Sequence, residues 1–170
     1  MPDVPSEPLD SFATRIPSRG DRTAVWLVAF GAWAVLLLAV LPPYLGPVGR
    51  SILMQAFSYA CHQMPSRSLH IDGVALAVCD RCLGLYVGIA AGVLAALCLA
   101  STRRFVHRHA GLAIVAALIP VGADWTFDIV GVWANTPATR ASTGGAFGLT
   151  MGFLLIAAAW PRRASSHIAL

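Results

Sequence analysis

Four long apolar stretches constrain what this chain can fold into more than any other feature of it. They cover about residues 24–41, 83–99, 111–132 and 144–160. Each is close to the roughly 20 residues that a helix needs to cross the hydrocarbon core of a bilayer. Charged residues make up only 12% of the chain, against about 25% in an ordinary soluble domain. We therefore predict an all-α integral membrane protein, a four-helix bundle whose main partner is the lipid bilayer.

The segments between and outside these stretches complete the predicted organisation. If residues 48–60 are helical, Ile52 and Phe57 lie on an apolar face and Arg50 and Gln55 lie on a polar face. This pattern predicts a short helix in the membrane interface. A polar loop with cysteine and histidine follows it. Residues 1–22 are polar and rich in proline, so we expect a disordered tail there. Residues 23–163 form the membrane domain, and residues 164–170 form a second tail.

The distribution of arginine predicts the orientation in the membrane. All 12 basic residues are arginines, and they flank the apolar stretches rather than forming a stripe with interleaved aromatic residues. That pattern argues against binding to nucleic acid. One side carries eight arginines and the other carries Arg50, Arg67, Arg81 and Arg140. By the positive-inside rule, both termini are cytoplasmic and the protein spans the cytoplasmic (inner) membrane with its longer loops facing outward.

Glycines recur every four residues in two of the predicted spans. Such series let helix backbones approach each other closely in lipid, so we expect the second and fourth spans to be neighbours. The same faces also suggest an oligomer. The residues are Gly84, Gly88 and Gly92 in one span and Gly144, Gly148 and Gly152 in the other.

Three cysteines and a histidine lie near the predicted outer boundary. Cys79 and Cys82 form a C-x-x-C pair at the start of the second span, and Cys61 and His62 precede them. Two thiolates with this spacing, a third thiolate and one nitrogen can hold a tetrahedral zinc ion. His70, an aspartate or water are alternatives for the fourth ligand. A disulfide with one thiol left over, or cysteines that only pack, remain open as other interpretations.

Two aspartates inside the third span are the second unusual feature. Asp124 and Asp128 lie four residues apart, on one helical face, and a charge near the bilayer centre costs at least ~2.5 kcal/mol. A metal, arginine partners or a shared proton would offset that cost. Arg140 and Thr143 precede the fourth span and predict a Ser/Thr cap with an ion pair from Arg140 to one of these aspartates. Arg67 and Arg81 are further candidate partners.

These residues resemble the signature of a family of uncharacterised prokaryotic integral membrane proteins. The resemblance lies in C-H-Q at residues 61–63, R-S at residues 67–68 and C-x-R-C-x-G-x-Y-x-G at residues 79–88. The later block of that family is similar to Asp124, Arg140 and the Thr-Gly of residues 143–144. Asp128 stands where that family has glutamine, and Asn135 lies earlier than its asparagine. The resemblance implies that the site also includes Gln63, Arg67, Ser68, Arg81, Tyr86 and Thr143.

Three functional hypotheses follow. The first is an outward-facing zinc site, structural or catalytic, in which a zinc-activated water acts on an amphiphilic or lipid-linked substrate. In this hypothesis Asp124, Asp128 and Arg140 are the candidate catalytic residues, and Arg67 and Arg140 hold an anionic group. The second is a thiol–disulfide oxidoreductase that uses Cys79 and Cys82 with a quinone or a partner protein. Its architecture is similar to that of quinone-linked disulfide-forming membrane enzymes. The third is a small carrier that couples transport to protonation of the intramembrane aspartates.

Overall fold

The computed structural model describes residues 19–160. The predicted tails, residues 1–22 and 164–170, lie outside this range except for the first residues of the first helix. Within the described range the chain forms six α-helices, two 3-10 helices of three residues each (Pro42–Tyr44 and Pro65–Arg67) and one short hairpin. The helices are α1 (Arg19–Val40), α2 (Pro47–Ser58), α3 (Asp80–Cys98), α4 (Ala100–Arg108), α5 (Ala110–Ile129) and α6 (Pro137–Ala159).

Four of these helices, α1, α3, α5 and α6, are long and apolar enough to cross a membrane. Their outward surfaces carry large apolar side chains, such as Phe30 at 75% exposure and Leu112 at 69%. Such surfaces are costly in water and favourable in lipid. The fold confirms the prediction of an all-α membrane bundle with four spans. Pro120 lies inside α5, which continues through it.

The fourth span begins earlier in the chain than the sequence predicted. Pro137 occupies the first helical position of α6, where its missing N–H costs no hydrogen bond. Thr136 and Thr139 then form a reciprocal capping box, with the Thr139 N–H donating to Thr136 Oγ1 over 3.2 Å. The predicted cap near Thr143 is therefore wrong. The Thr143 hydroxyl instead donates to the Thr139 carbonyl within the helix, over 2.8 Å.

The glycine faces of α3 and α6 pack against each other, which confirms the predicted neighbours. A Cβ added at Gly84 would lie 2.0 Å from the Ala141 carbonyl oxygen, and one at Gly148 would lie 2.1 Å from that of Leu85. Only glycine permits such backbone contact. Because these faces are buried inside one chain, they are not available to a second copy. The suggested oligomer through them is therefore not what this fold builds.

The remaining helices pack around the α3–α6 pair. Val25 and Ala29 of α1 meet Val93 of α3 and Phe153 and Ile156 of α6 in the main apolar cluster. Helix α5 contacts mainly α6 and buries only Ala117 and Asp124. Helices α1 and α5 end, and α3 and α6 begin, at one end of the bundle, which we call the cysteine end.

Two elements were not predicted. Helix α4 lies in the arginine-rich segment between the second and third predicted spans, and its Arg103 is buried. Its guanidinium lies 3.7 Å from the centre of the Trp160 ring and donates to the Ala96 carbonyl over 3.2 Å. A hairpin of β1 (His70–Ile71) and β2 (Val74–Ala75) lies between α2 and α3. It turns through Asp72 and Gly73, which both have positive φ, as tight hairpin turns require.

Candidate metal centre

Three cysteines meet at the cysteine end of the bundle. Cys79 is the residue before α3, Cys82 lies in its first turn, and Cys61 follows α2, where its N–H donates to the Phe57 carbonyl over 2.9 Å. The three Sγ atoms all lie within 4.8 Å of one another, and all three thiols are free. The C-x-x-C spacing and the loop from α2 therefore build one compact group that can hold a metal ion.

A side-chain clamp holds the loop that brings Cys61 to α3. Gln63 adopts a φ of +47°, which is rare for a residue with a Cβ. Its Nε2 donates to the Met54 carbonyl over 2.8 Å and to the Ala77 carbonyl over 2.7 Å. These two hydrogen bonds join α2 to the segment that leads to Cys79. Gln63 thus supports the site as a positioning residue, and its backbone strain is offset by the two bonds.

The group is arranged to stabilise negative charge on sulfur. The Cys79 N–H donates to Cys61 Sγ over 3.3 Å. The thiol of Cys82 donates to Cys79, and this bond, with backbone N–H donors of Cys82 and Arg81, lowers the pKa of Cys79 to about 5 against the opposing effect of burial. Arg81 acts here through its backbone, because its guanidinium is engaged elsewhere. Thiolate is the form of cysteine that binds metals.

The spacing of the sulfurs suits a zinc ion. Zn–S bonds of about 2.3 Å place tetrahedral sulfur ligands about 3.8 Å apart. The three sulfurs lie within 4.8 Å of one another, about 1 Å wider than that spacing at most. Two of the sulfurs are part-buried and Cys61 is buried, so the site is fixed by packing on one side.

A pocket of about 210 Å³ opens over the sulfurs, lined by Cys61, His62, Gln63, Met64, Arg67, Cys79 and Cys82 among others. His62 is exposed at this pocket and is not among the side chains that group with the sulfurs. His62 is therefore not in place as the fourth ligand, for which the sequence also left His70, an aspartate or water as alternatives. Asp124 also lies outside the group, because it is bound to an arginine. The described residues supply three ligands, and the fourth position faces the pocket.

Three arginine–aspartate pairs surround the centre. Arg81 of α3 binds Asp124 of α5, which is 4% exposed. Arg67 Nη2 lies 3.7 Å from Asp128 Oδ2, so both intramembrane aspartates have arginine partners. These ion pairs offset the cost of placing the charges of Asp124 and Asp128 inside the third span.

The predicted pairing of Arg140 with Asp124 or Asp128 is wrong. Arg140 Nη1 lies 3.7 Å from Asp80 Oδ2, and its Nε donates to Asn135 Oδ1 over 2.6 Å. The Asn135 N–H in turn donates to Asp128 Oδ1 over 3.1 Å. The network thus joins α3, α5 and α6 at the cysteine end. Asp80 was not among the predicted site residues, although its position inside the C-x-x-C pair was a signal.

The other predicted site residues lie around the centre and do not face a common point. The Ser68 hydroxyl is buried and donates to the Met64 carbonyl over 3.0 Å. The Tyr86 ring packs edge-on against Phe57, with ring centres 6.1 Å apart. Thr143 is bonded within α6. Ser68 and Thr143 therefore stabilise local backbone, whereas Tyr86 adjoins the apolar cluster that contains Cys61.

A three-cysteine centre at one end of a four-span helical bundle defines a polytopic membrane protein with a candidate metal site. Residues 61–154 match the family described as "Predicted membrane protein (DUF2085)", and the chain belongs to that family. The match begins at Cys61 and includes the other two cysteines and all three arginine–aspartate pairs. The chain is also similar to "Uncharacterized protein MJ1492" of Methanocaldococcus jannaschii. The two are 29% identical over 141 residues, which covers 77% of this chain and 90% of the relative. No solved structure matches the chain significantly.

Proposed function

We propose that this protein holds a zinc ion on its three cysteines, and that the site binds the anionic head of an amphiphilic or lipid-linked molecule. The observation that carries the proposal is the group of three Sγ atoms within 4.8 Å, open on one side to a pocket. Thiolates favour zinc and softer metals over magnesium or calcium. A site with three protein ligands leaves the fourth position for a ligand from outside, to which zinc supplies a Lewis acid.

Arg67 is the residue that supports binding of an anion. It lines the same pocket, its side chain is 44% exposed, and its 3.7 Å separation from Asp128 leaves donors free for another oxygen. Arg140 was predicted to share this role. Its side chain is only 13% exposed and is engaged by Asp80 and Asn135, so we assign it to positioning of the helices.

The difference in net charge between the two ends of the bundle supports the proposed orientation, in which the cysteine end lies on the outer side of the cytoplasmic membrane. All four acidic residues between residues 23 and 160 lie at the cysteine end, where they balance its four arginines. Among the described residues, the opposite end has five arginines and one acidic residue, Asp21 of α1; the arginines are Arg19, Arg22, Arg103, Arg104 and Arg108. The excess positive charge at that end favours the cytoplasm.

Metal analysis of the purified protein tests the zinc site. We expect about one zinc per chain in the wild type, and loss of it in the double variant Cys79→Ser/Cys82→Ser, because two of three thiolates are removed. Cys98→Ser is the matched control, since Cys98 is exposed and lies at the other end of α3. Wild-type protein without metal, or a double variant that keeps it, would refute the site.

Cobalt(II) in place of zinc tests the anion. Its visible spectrum responds to the fourth ligand, so addition of inorganic phosphate should shift the bands. Arg67→Gln should weaken that response while cobalt binding is retained. An unchanged phosphate response in Arg67→Gln would contradict the assigned role of this arginine.

A second candidate function is thiol–disulfide exchange, favoured by the lowered pKa of Cys79 beside Cys82. Oxidation of these two thiols to a disulfide would release two electrons and two protons to a quinone or a partner disulfide. Metal-free protein whose Cys79 and Cys82 thiols become linked when a quinone is added, with formation of the quinol, would support this function over zinc. The carrier hypothesis has no comparable support in the described residues, because both intramembrane aspartates are paired with arginines.

A further inference from the structure

An apolar groove lies below the metal centre, within the part of the bundle that spans the membrane. It encloses about 320 Å³ between α1, α3 and α6. Its walls include Val28, Gly31 and Val35 of α1, Tyr86 and Ile89 of α3, and Leu155 of α6. Apart from the phenol of Tyr86, these side chains offer only hydrocarbon to a ligand.

The groove and the metal centre share one face of α3. Cys82, Tyr86 and Ile89 are spaced at i, i+4 and i+7, which places them one above another on a helix. Cys82 lines the pocket over the sulfurs, whereas Tyr86 and Ile89 line the groove. One turn separates Cys82 from Tyr86, a rise of about 6 Å. A chain molecule that lies along this face of α3 would extend from the pocket over the sulfurs towards the groove.

Gly31 gives the groove its depth. A Cβ added to Gly31 would meet nothing within 4 Å, in contrast to the glycines of α3 and α6, which contact backbone. Gly31 therefore has no role in close helix packing, although glycine costs about 1 kcal/mol relative to alanine inside a helix in water. A larger side chain there would extend into open space beside Ala32, on the wall of the groove.

We propose that the groove binds the hydrocarbon chain of an amphiphile whose polar head lies in the pocket over the three cysteines. This inference rests on the proposed function, and it names the class of ligand, a lipid with an anionic head and an extended chain. Tyr86 lies at the junction, with its ring against the cluster that contains Cys61. The groove lies one turn along α3 from the sulfurs and opens to the apolar region of the bilayer, where such a chain already resides.

Photolabelling in proteoliposomes tests the groove. The probe is a fatty acid that carries a diazirine in its chain, and adducts are mapped by mass spectrometry. We expect adducts concentrated on peptides from α1 and α3 that contain Val28, Val35 and Ile89. Gly31→Leu should reduce them severalfold, because its side chain fills the groove. Gly122→Leu is the matched control, since Gly122 also has open space around it within a span. It should leave the labelling unchanged.

The outcomes separate this inference from the proposed function. Zinc is measured in the same samples, so groove labelling without zinc would keep the groove and refute the metal site. If zinc is present but the adducts are spread evenly over all apolar faces, the probe has labelled these faces as bulk lipid. That result would overturn the proposal that the groove binds a ligand. If the protein is a dimer that dissociates in Gly31→Leu and no adducts form in the groove, the groove is a contact with a second copy of the chain. That result would also overturn the proposal.

Discussion

Replacing Gly148 by alanine should destabilise the protein strongly, because the α3–α6 contact is made by backbone. The added Cβ would lie 2.1 Å from the Leu85 carbonyl oxygen and 3.0 Å from the Ile89 nitrogen. Ordinary contact begins at 3.4 Å, so the two helices must separate by about 1.3 Å at that point, the difference between 3.4 and 2.1 Å. Overpacking of a rigid site costs about 1–3 kcal/mol, and contact with backbone favours the upper end of that range.

The control is Gly122→Ala in α5, where an added Cβ meets nothing within 4 Å. Alanine is favoured over glycine by about 1 kcal/mol in a helix, so this variant should be neutral or slightly more stable. At roughly 2–4 °C per kcal/mol for a chain of this size, the two variants should differ in melting temperature by about 6 °C or more. Thermal unfolding in detergent, followed by circular dichroism, measures the difference.

Equal melting temperatures for Gly148→Ala and Gly122→Ala would refute the reasoning. They would show that the glycine face of α6 is not in contact with α3, and the placement of Cys79 and Cys82 relative to α6 would be wrong with it. A graded series along the face adds a second check. Gly145→Ala, whose Cβ would lie 3.5 Å from the Gly84 oxygen, should be much less destabilising than Gly148→Ala.

Three further predictions concern the cysteine end. Asp124→Asn should destabilise the protein by about 3–5 kcal/mol, because it leaves the Arg81 charge without its partner. The double variant Arg81→Leu/Asp124→Leu should recover most of that loss of stability, as measured by thermal unfolding. Thr136→Ala should cost about 1 kcal/mol by the same assay, because the N-cap of α6 is lost; a Tm equal to wild type would contradict the capping box. The lowered pKa of Cys79, about 5, predicts that metal-free protein keeps this thiolate from pH 8 down to pH 6 and loses it only near pH 5. Alkylation of Cys79 by iodoacetamide should therefore fall little between pH 8 and 6 in the folded protein, and steeply in urea-unfolded protein, where the thiol has an ordinary pKa of about 8.5.

The spans and their neighbours could be predicted because both depend on local pattern. Apolar length defines a membrane helix, and glycine at every fourth position marks the close approach that brings Gly84 to Ala141. Helix α4 could not be predicted in this way, because its sequence is polar and rich in arginine. Its Arg103 reaches the Trp160 ring, a contact between residues far apart in the chain that the local pattern does not show. The hairpin depends similarly on how the loop is anchored.

The residues of the site were largely predictable, but their partners were not. Cysteines, arginines and intramembrane aspartates each stand out in an apolar sequence. However, three arginines and three aspartates can be paired in several ways, and only the rotation of each helix selects Arg81 with Asp124 and Arg140 with Asp80. His62 illustrates the same limit. It is adjacent to Cys61 in sequence, yet its side chain is exposed and lies outside the sulfur group.

The four residues from Cys79 to Cys82 explain how a metal centre and a helical bundle are joined. Residues three apart on a helix are separated by about 300°, so the two sulfurs share a side of α3 while the two residues between them face elsewhere. Asp80 reaches Arg140 of α6, and Arg81 reaches Asp124 of α5. The sulfurs therefore form the site, whereas the central pair holds the start of α3 against its two neighbours. On this argument, loss of the sulfurs should leave the bundle folded. Loss of the central pair should displace the sulfurs and weaken metal binding although no ligand is changed.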